Sequence, residues 1–436
     1  MCGILCGLRS EHRKASFFMR SAALRTSSHL ALRHLAATLA LATSTPSLAP
    51  LGAMSTSTST DPRSICDRYN DDTYSVMEDD KERTGQYAAA IGAVAAGRVC
   101  LDIGTGALAL LALMAARAGA KHVYAIEANP TAAAAARALV AAEGFADVVT
   151  IIEGYSTDVT LPEKADLLLH EILGEVAGAE GVVHALTDAA ARHWAPPPAG
   201  VGDGGGGGAA TSADDVIGTV LSVPARARSL IAPAEFPPPE YFASLKFPML
   251  AAPGATALKL PGLPQSVLIA ASQPFERLDF TALRPDSTQG CELHFIASRD
   301  AELRGLAVHI EVDMLDAAAA SSAASRVPPE APGIQDGDGG AGIQDGDGGA
   351  RSAADISSAR PGSHWPNIFF LLPDPVTTVA GARLLVSAQI ALGSERPRYT
   401  LELRLLRDPG GGSQVTVDAT ADEDAGLLLG SFSYPE

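Results

Sequence analysis

At 436 residues the chain is long enough for two domains of roughly 100–200 residues each, and its 47% apolar content can bury a substantial core. Fifty acidic against 32 basic residues give a net charge of −18, which excludes non-specific nucleic-acid binding, because phosphates need basic patches. The same charge suits a basic partner such as an Arg- or Lys-rich protein tail.

Residues 1–60 read as a leader. Arg9, Arg13, Lys14, Arg20, Arg25 and Arg33 stand among Ser, Ala and Leu, with Glu11 as the acid. This is the composition of a plastid or mitochondrial transit peptide. The rival reading starts translation at Met54 and leaves the protein in the cytoplasm or nucleus. The apolar run around Leu30–Ala42 is broken by Arg33 and His34, too short to span a bilayer. No membrane segment is expected elsewhere. The cysteines, at 2, 6, 66, 100 and 291, are scattered; neither a disulfide framework nor a metal site is expected.

Residues 61–98 are predicted to be largely helical, with helical apolar spacing in EDDKERTGQYAAAIGAV. Residues 99–127 carry the strongest local signal, VCLDIGTGALALLALMAARAGAKHVYAIE. An apolar strand ends in Asp102, the turn Gly104-Thr105-Gly106 follows, a helix leaves it, and a second strand ends in Glu127. This is the βαβ layout in which a nucleoside sits over a glycine turn and an acid grips its ribose. The third glycine of a dinucleotide fingerprint is missing. Asp102 would also repel a pyrophosphate but attract an ammonium. The pattern therefore points to S-adenosylmethionine (AdoMet), with Glu127 on the ribose hydroxyls.

Downstream, NPTAAAAARALVAAEG is predicted as a helix capped by Asn129 and ended by Gly144. VVTIIEG and ADLLLHEIL are strands, and GVVHALTDAAARHW is a helix. Residues 196–214 are a Gly/Pro-rich insertion. Short β-like runs then appear at VIGTVLSVP, VLIAAS, LHFIAS, LAVHIEVDM, NIFFLL, ARLLVSAQI, RYTLELRLL and LLLGSFSY, the texture of an antiparallel sandwich or barrel. Residues 316–362 interrupt it with the repeat GIQDGDGGA at 333–341 and 342–350; two copies are too few for a calcium-binding β-helix.

The second chemical signal is HEILGEVAGAEG, residues 170–181. Glu171 leaves a strand at the carboxyl edge, where open α/β sheets bind ligands. Glu180 follows nine residues on, past two glycines. A loop that folds back brings both carboxylates together, able to clamp a guanidinium in bidentate fashion. Glu175 is a weaker candidate, and the acids equally fit a helix cap or a solvated face.

On these residues the chain resembles the protein arginine methyltransferases: two glutamates nine residues apart, the run VTIIEG…LPEKADLLLHE leading to them, and HFIASRDAELRGLAVHIEVDM before SHWPNIFFLL. The resemblance implies an α/β Rossmann-like AdoMet methyltransferase domain at 61–195 and a mostly antiparallel β-barrel substrate domain at 215–436, with insertions at 196–214 and 316–362. It places Glu171, Glu180, His364 and Trp365 in the active site. It assigns the cofactor to Met77, Arg83, Asp102, Gly104, Gly106 and Glu127, with Ser156 and Thr157 on the adenine side, where the expected acid is out of register. The implied substrate is an arginine-containing protein, such as a histone or RNA-binding protein tail. A homodimer is also implied, although the arm after Phe242 looks short. Two departures stand out: His170 where well-studied members have Ser, and Leu108 where the third cofactor-loop glycine is expected. The aromatic pair of the N-terminal helix is matched only loosely by Tyr69 and Tyr74. Two alternatives keep the scaffold: a small-molecule N- or O-methyltransferase, and a catalytically silent AdoMet-binding subunit.

Overall fold

The computed structural model describes residues 80–195, 220–245, 256–284, 287–316, 319, 355–360, 363–406 and 426–434. Met77, Tyr69, Tyr74, the leader and nearly all of both insertions lie outside these residues. Among the described residues no helix is long and apolar enough to cross a membrane, and no group of three His, Cys, Asp or Glu side chains is placed to hold a metal.

The chain enters through helix α1 (Lys81–Val94), capped by the Asp80 carboxylate, which accepts the Arg83 N–H at 3.1 Å. Five parallel strands follow: β1 (Val99–Ile103), β2 (His122–Glu127), β3 (Val149–Glu153), β4 (Leu167–His170) and β5 (Ser222–Val223). Their order is β3-β2-β1-β4-β5. Helices α2 (Leu110–Arg117), α3 (Pro130–Ala142) and α4 (Val182–His193) connect them. Strands β1, β2 and β4 are almost wholly buried, which is why they read as unbroken apolar runs. The direction of winding reverses between β1 and β4, and such a switch point opens a crevice at the carboxyl ends of the strands. The run VIGTVLSVP, grouped above with the antiparallel domain, supplies β5 and closes the parallel sheet.

Among the described residues, ten further strands, a short helix and a 3₁₀ turn follow. One sheet has the order β7-β12-β10-β6-β8, from β6 (Arg226–Ala234), β7 (Ala257–Leu260), β8 (Gln273–Asp279), β10 (Ala301–Asp313) and β12 (Asn367–Thr378), with the two-residue β11 (Ile356–Ser357) beside β10. The other has the order β15-β14-β13-β9, from β9 (Thr288–Ile296), β13 (Arg383–Ala391), β14 (Arg398–Leu405) and β15 (Leu427–Tyr434). Helix α5 (Pro239–Ser244) follows β6. Aromatic side chains bridge the two sheets: Phe370 on β12 lies 5.5 Å from Phe432 on β15, and Phe275 on β8 lies 6.5 Å from Tyr399 on β14. This is the Rossmann-like domain followed by an antiparallel barrel-like domain that the sequence leads one to expect. One assignment differs. VLIAAS forms no strand, because Pro264 starts a 3₁₀ turn at Gln265–Val267 and only Leu268 makes a bridge, to Ala234.

Asn129 caps α3 as expected, accepting the N–H groups of Thr131 at 2.9 Å and Ala132 at 3.2 Å. Asn129→Ala should cost about 1 kcal/mol in urea unfolding, and Asn129→Gly only a few tenths.

Candidate active site

The parallel registers align three acids at one edge. Asp102 on β1 pairs with Ala125 on β2 and Leu169 on β4, so Asp102, Glu127 and Glu171 all stand at the carboxyl ends of adjacent strands. Between β1 and α2 the chain turns through Gly104, at φ 74°, where a Cβ would lie 2.7 Å from the Ile172 side chain. Only glycine fits there, because the segment leaving β4 packs directly on the turn. Ala109, at φ 43°, takes a left-handed conformation just past the departure at Leu108, a cost of about 1 kcal/mol.

Asp102 is fully buried. Its Oδ2 accepts the Thr105 hydroxyl at 2.6 Å, and Oδ1 has no hydrogen-bond partner among the described residues. Burial pushes its pKa up to about 7, against the pull of the Thr105 bond. An orphaned carboxylate oxygen at the switch point suits a cationic ammonium. Glu127 accepts the Gly106 N–H at 2.8 Å on one oxygen and the Asn129 N–H at 2.7 Å on the other. These bonds lock its rotamer and leave a lone pair on each oxygen for a diol. The turn after β3, which holds Ser156 and Thr157, lies beside the end of β2: Gly154 N–H donates to the Glu127 carbonyl at 2.9 Å. The residues present thus fit the amino acid and ribose portions of AdoMet.

Beyond β4 the charges alternate. Arg83, 2% exposed on α1, pairs with Glu171 at 2.9 Å. Glu171 Oε1 lies 3.8 Å from His364 Nε2, and His364 Nδ1 lies 3.0 Å from Asp80 Oδ2. Arg360 closes the chain on the other Asp80 oxygen and reaches Glu82 at 3.4 Å. Burial alone would lower the His364 pKa; hydrogen bonds to Asp80 and Glu171 raise it above 6.5. Despite its own burial, Asp80 is pulled far below the usual carboxylate range by hydrogen bonds from His364, Arg360 and the Arg83 amide. Trp365, 3% exposed, stacks at a tilt against His364 with centroids 4.1 Å apart and donates its indole N–H to the Leu173 carbonyl at 3.1 Å. The SHW segment therefore enters from the barrel and grips the segment that carries the two glutamates.

That segment doubles back. Ala179 N–H bonds to the Val176 carbonyl and Gly181 N–H to the Gly178 carbonyl, and a Cβ on Gly174 would lie 3.3 Å from Glu180 Cγ. The stem of Glu180 thus returns to within three residues of Glu171. Arg83, expected on the cofactor carboxylate, touches Glu171. His170 is fully buried, edge-on to Phe280 at 4.6 Å, and burial pushes its pKa down to about 3. A neutral imidazole supplies no charge with which to tune Glu171, so His170 fills the core. Glu175 is held by Lys259 and by the Tyr434 hydroxyl at 3.2 Å. Asp80 and Arg360 escaped the sequence reading. Asp80 had a signal, its place three residues before Arg83 at the N-cap; Arg360 had none.

No protein-family model matches the chain. Over 123 residues it is 41% identical to the probable histone-arginine methyltransferase 1.3 of Arabidopsis thaliana, covering 28% of this chain and 23% of that protein. Over 78 residues it is 47% identical to the protein arginine N-methyltransferase PRMT10 of Oryza sativa subsp. japonica, covering 18% and 20%. Over 104 residues it is 38% identical to the arginine N(omega)-methyltransferase of Streptomyces achromogenes subsp. streptozoticus, covering 23% and 28%. The chain spans about a quarter of the length of these curated relatives. Among solved structures it resembles the Trypanosoma brucei PRMT1 enzyme-prozyme heterotetrameric complex with AdoHcy, with a TM-score of 0.54 at 19% identity over 82% of this chain and 97% of that one. It also resembles Arabidopsis thaliana protein arginine methyltransferase 10, with a TM-score of 0.55 at 19% identity over 78% and 94%. The chain shares the fold of these arginine methyltransferases and is similar to the family in local sequence.

The Asp80–His364 pair has a defined pH window. The lowered Asp80 pKa contributes stability above 3.8 that is lost as pH falls through the folded value. The raised His364 pKa contributes stability below 6.5 that is lost as pH rises through the folded value. His364→Asn should therefore destabilise the protein most between these limits, by about 3 kcal/mol near pH 5, with the difference shrinking toward pH 9 in thermal melts.

Proposed function

We propose that this protein is an AdoMet-dependent N-methyltransferase acting on the guanidinium nitrogens of arginine residues in proteins. The observation that carries the reading is the buried charge chain Arg83–Glu171–His364–Asp80, set beside the buried Asp102 carboxylate, whose Oδ1 has no side-chain or backbone partner among the described residues. In this reading Asp102 holds the cofactor ammonium, Glu127 the ribose diol and Arg83 the carboxylate end, with the Ser156–Thr157 turn on the adenine side. Met77 is proposed near the sulfur. Bound there, AdoMet would supply an electrophilic methyl group on a sulfonium.

The chain's own residues do the rest. Glu171 and Glu180 receive the guanidinium N–H groups in a fixed plane and orient one nitrogen lone pair. Arg83 and His364 fix the Glu171 carboxylate, so little reorganisation is needed as the reaction proceeds. The attacking nitrogen gains a carbon and gives up one proton, for which the Glu171–His364–Asp80 chain is the proposed acceptor. Trp365 walls the pocket and excludes water. Rate then comes mainly from positioning.

The acidic chain suits a basic protein substrate, and self-association is part of the same reading. One observation favours a second acceptor. The Streptomyces relative is named for arginine itself rather than for protein, so free arginine is the rival substrate.

Mass spectrometry decides between them. The full chain with AdoMet and an arginine-rich peptide should add one or two methyl groups to arginine, and Glu171→Gln should lower turnover at least about a hundredfold while AdoMet still binds. Methylation of free arginine alone would transfer the reading to a small-molecule enzyme. Tight AdoMet binding with neither acceptor methylated would leave a silent subunit.

A further inference from the structure

The mechanism above leaves a buried carboxylate unused. Glu276 on β8 is completely buried. Its Oε1 accepts the Tyr399 hydroxyl at 2.6 Å. Its Oε2 accepts the Ser229 hydroxyl and, at 3.4 Å, the N–H of Gly178. Ser229 in turn accepts the Ala177 N–H at 2.9 Å. Ala177 and Gly178 lie on the segment between Glu171 and Glu180, whereas Ser229, Glu276 and Tyr399 come from β6, β8 and β14. The backbone seats directly on this cluster: a Cβ on Gly178 would fall 2.5 Å from Glu276 Oε1 and 2.7 Å from Tyr399 Oη.

We propose that Glu276, Ser229 and Tyr399 form a clasp on the barrel that grips the segment at Ala177 and Gly178 and so sets where Glu180 presents its carboxylate. They are positioning residues, and the claim about the acceptor rests on the reading that Glu171 and Glu180 bind the guanidinium. The chemistry suits the task. A hydroxyl both donates and accepts, so Ser229 can relay from a carboxylate to a backbone amide. A carboxylate has lone pairs for three donors at once, and burying it is tolerable only because all of them are present. Filling the same space would take only an apolar side chain; holding two successive backbone amides takes acceptors. Ahead of the clasp the segment is fastened by Trp365 at the Leu173 carbonyl and by Lys259 and Tyr434 at Glu175. The clasp holds the return arm that ends in Glu180.

The test combines amide exchange with kinetics on the full chain. Ser229→Ala and Gly178→Ala should speed exchange of the amides at 176–181 and raise the KM for an arginine-rich peptide about ten- to a hundredfold, with AdoMet affinity unchanged. Glu276→Ala should do the same, whereas Glu276→Gln should recover protection, since its amide oxygen can serve Ser229 and Gly178 while its nitrogen donates to Tyr399. If Glu276→Ala does not fold, the Ser229 and Gly178 variants decide. Wild-type exchange and KM in those two variants would overturn the proposal, as would a parallel loss of AdoMet binding, which would mark a general structural role. If the wild type methylates no arginine, the acceptor reading fails, and the clasp stands or falls on the exchange of these amides alone.

Discussion

The buried ion pair between Arg83 and Glu171 is the constraint on which the rest of the site depends. Both side chains are almost dry, at 2% and 8% exposure. Removing either partner would strand a charge in a low-dielectric interior, a loss of about 3–5 kcal/mol. The pair is stable because it does not stand alone. His364 reaches Glu171 from the barrel, Asp80 reaches His364 from the start of α1, and Arg360 closes the series. Positive and negative groups alternate along the chain, so each desolvated charge has an opposite neighbour. The same interactions join three elements that are remote in sequence: the first helix, the edge of the parallel sheet and the barrel segment at SHW.

The proposed function follows from that joinery. The parallel sheet supplies a crevice at its switch point, with Asp102 and Glu127 on one side and Glu171 on the other. The segment beyond β4 buries Leu173, Val176 and Ala177 in the core, and polar contacts fix its path at the glycines beside them. The barrel holds it through Trp365, the Glu175 contacts and the Glu276 cluster. In the proposed reading, Glu171 and Glu180 can then face one small cation. Neither domain carries all the residues of the proposed site by itself.

The Asp102–Glu127 half of this arrangement was legible in the sequence because it depends on local spacing. A buried strand, a turn that needs glycine and an acid at the next strand end fall within 29 residues, Val99–Glu127. The Glu171–Glu180 spacing was legible for the same reason. What joins the halves was not. Asp80 and Arg360 are 280 residues apart, and only the packing of the first described helix beside the barrel brings them together. Ser229 and Glu276 sit on strands that the apolar pattern missed. RARSLIAPA is broken by Pro233 and flanked by outward-facing arginines, and QPFERLD hides a fully buried glutamate beside an exposed Arg277. VLIAAS misled in the opposite direction, since its apolar run follows a proline that starts a 3₁₀ turn. His170 stood out only as a departure from Ser; its burial against Phe280 makes it a core residue.

The most direct measurement is a crystal structure of the full chain with S-adenosylhomocysteine and an arginine-containing peptide. The account places the nucleoside ribose on Glu127 and the cofactor ammonium on Asp102. It places the peptide guanidinium between Glu171 and Glu180, with the Asp80–His364 and Arg83–Glu171 contacts intact. A guanidinium bound elsewhere, or a Glu171 carboxylate that keeps only Arg83 and turns away from the peptide, would contradict it.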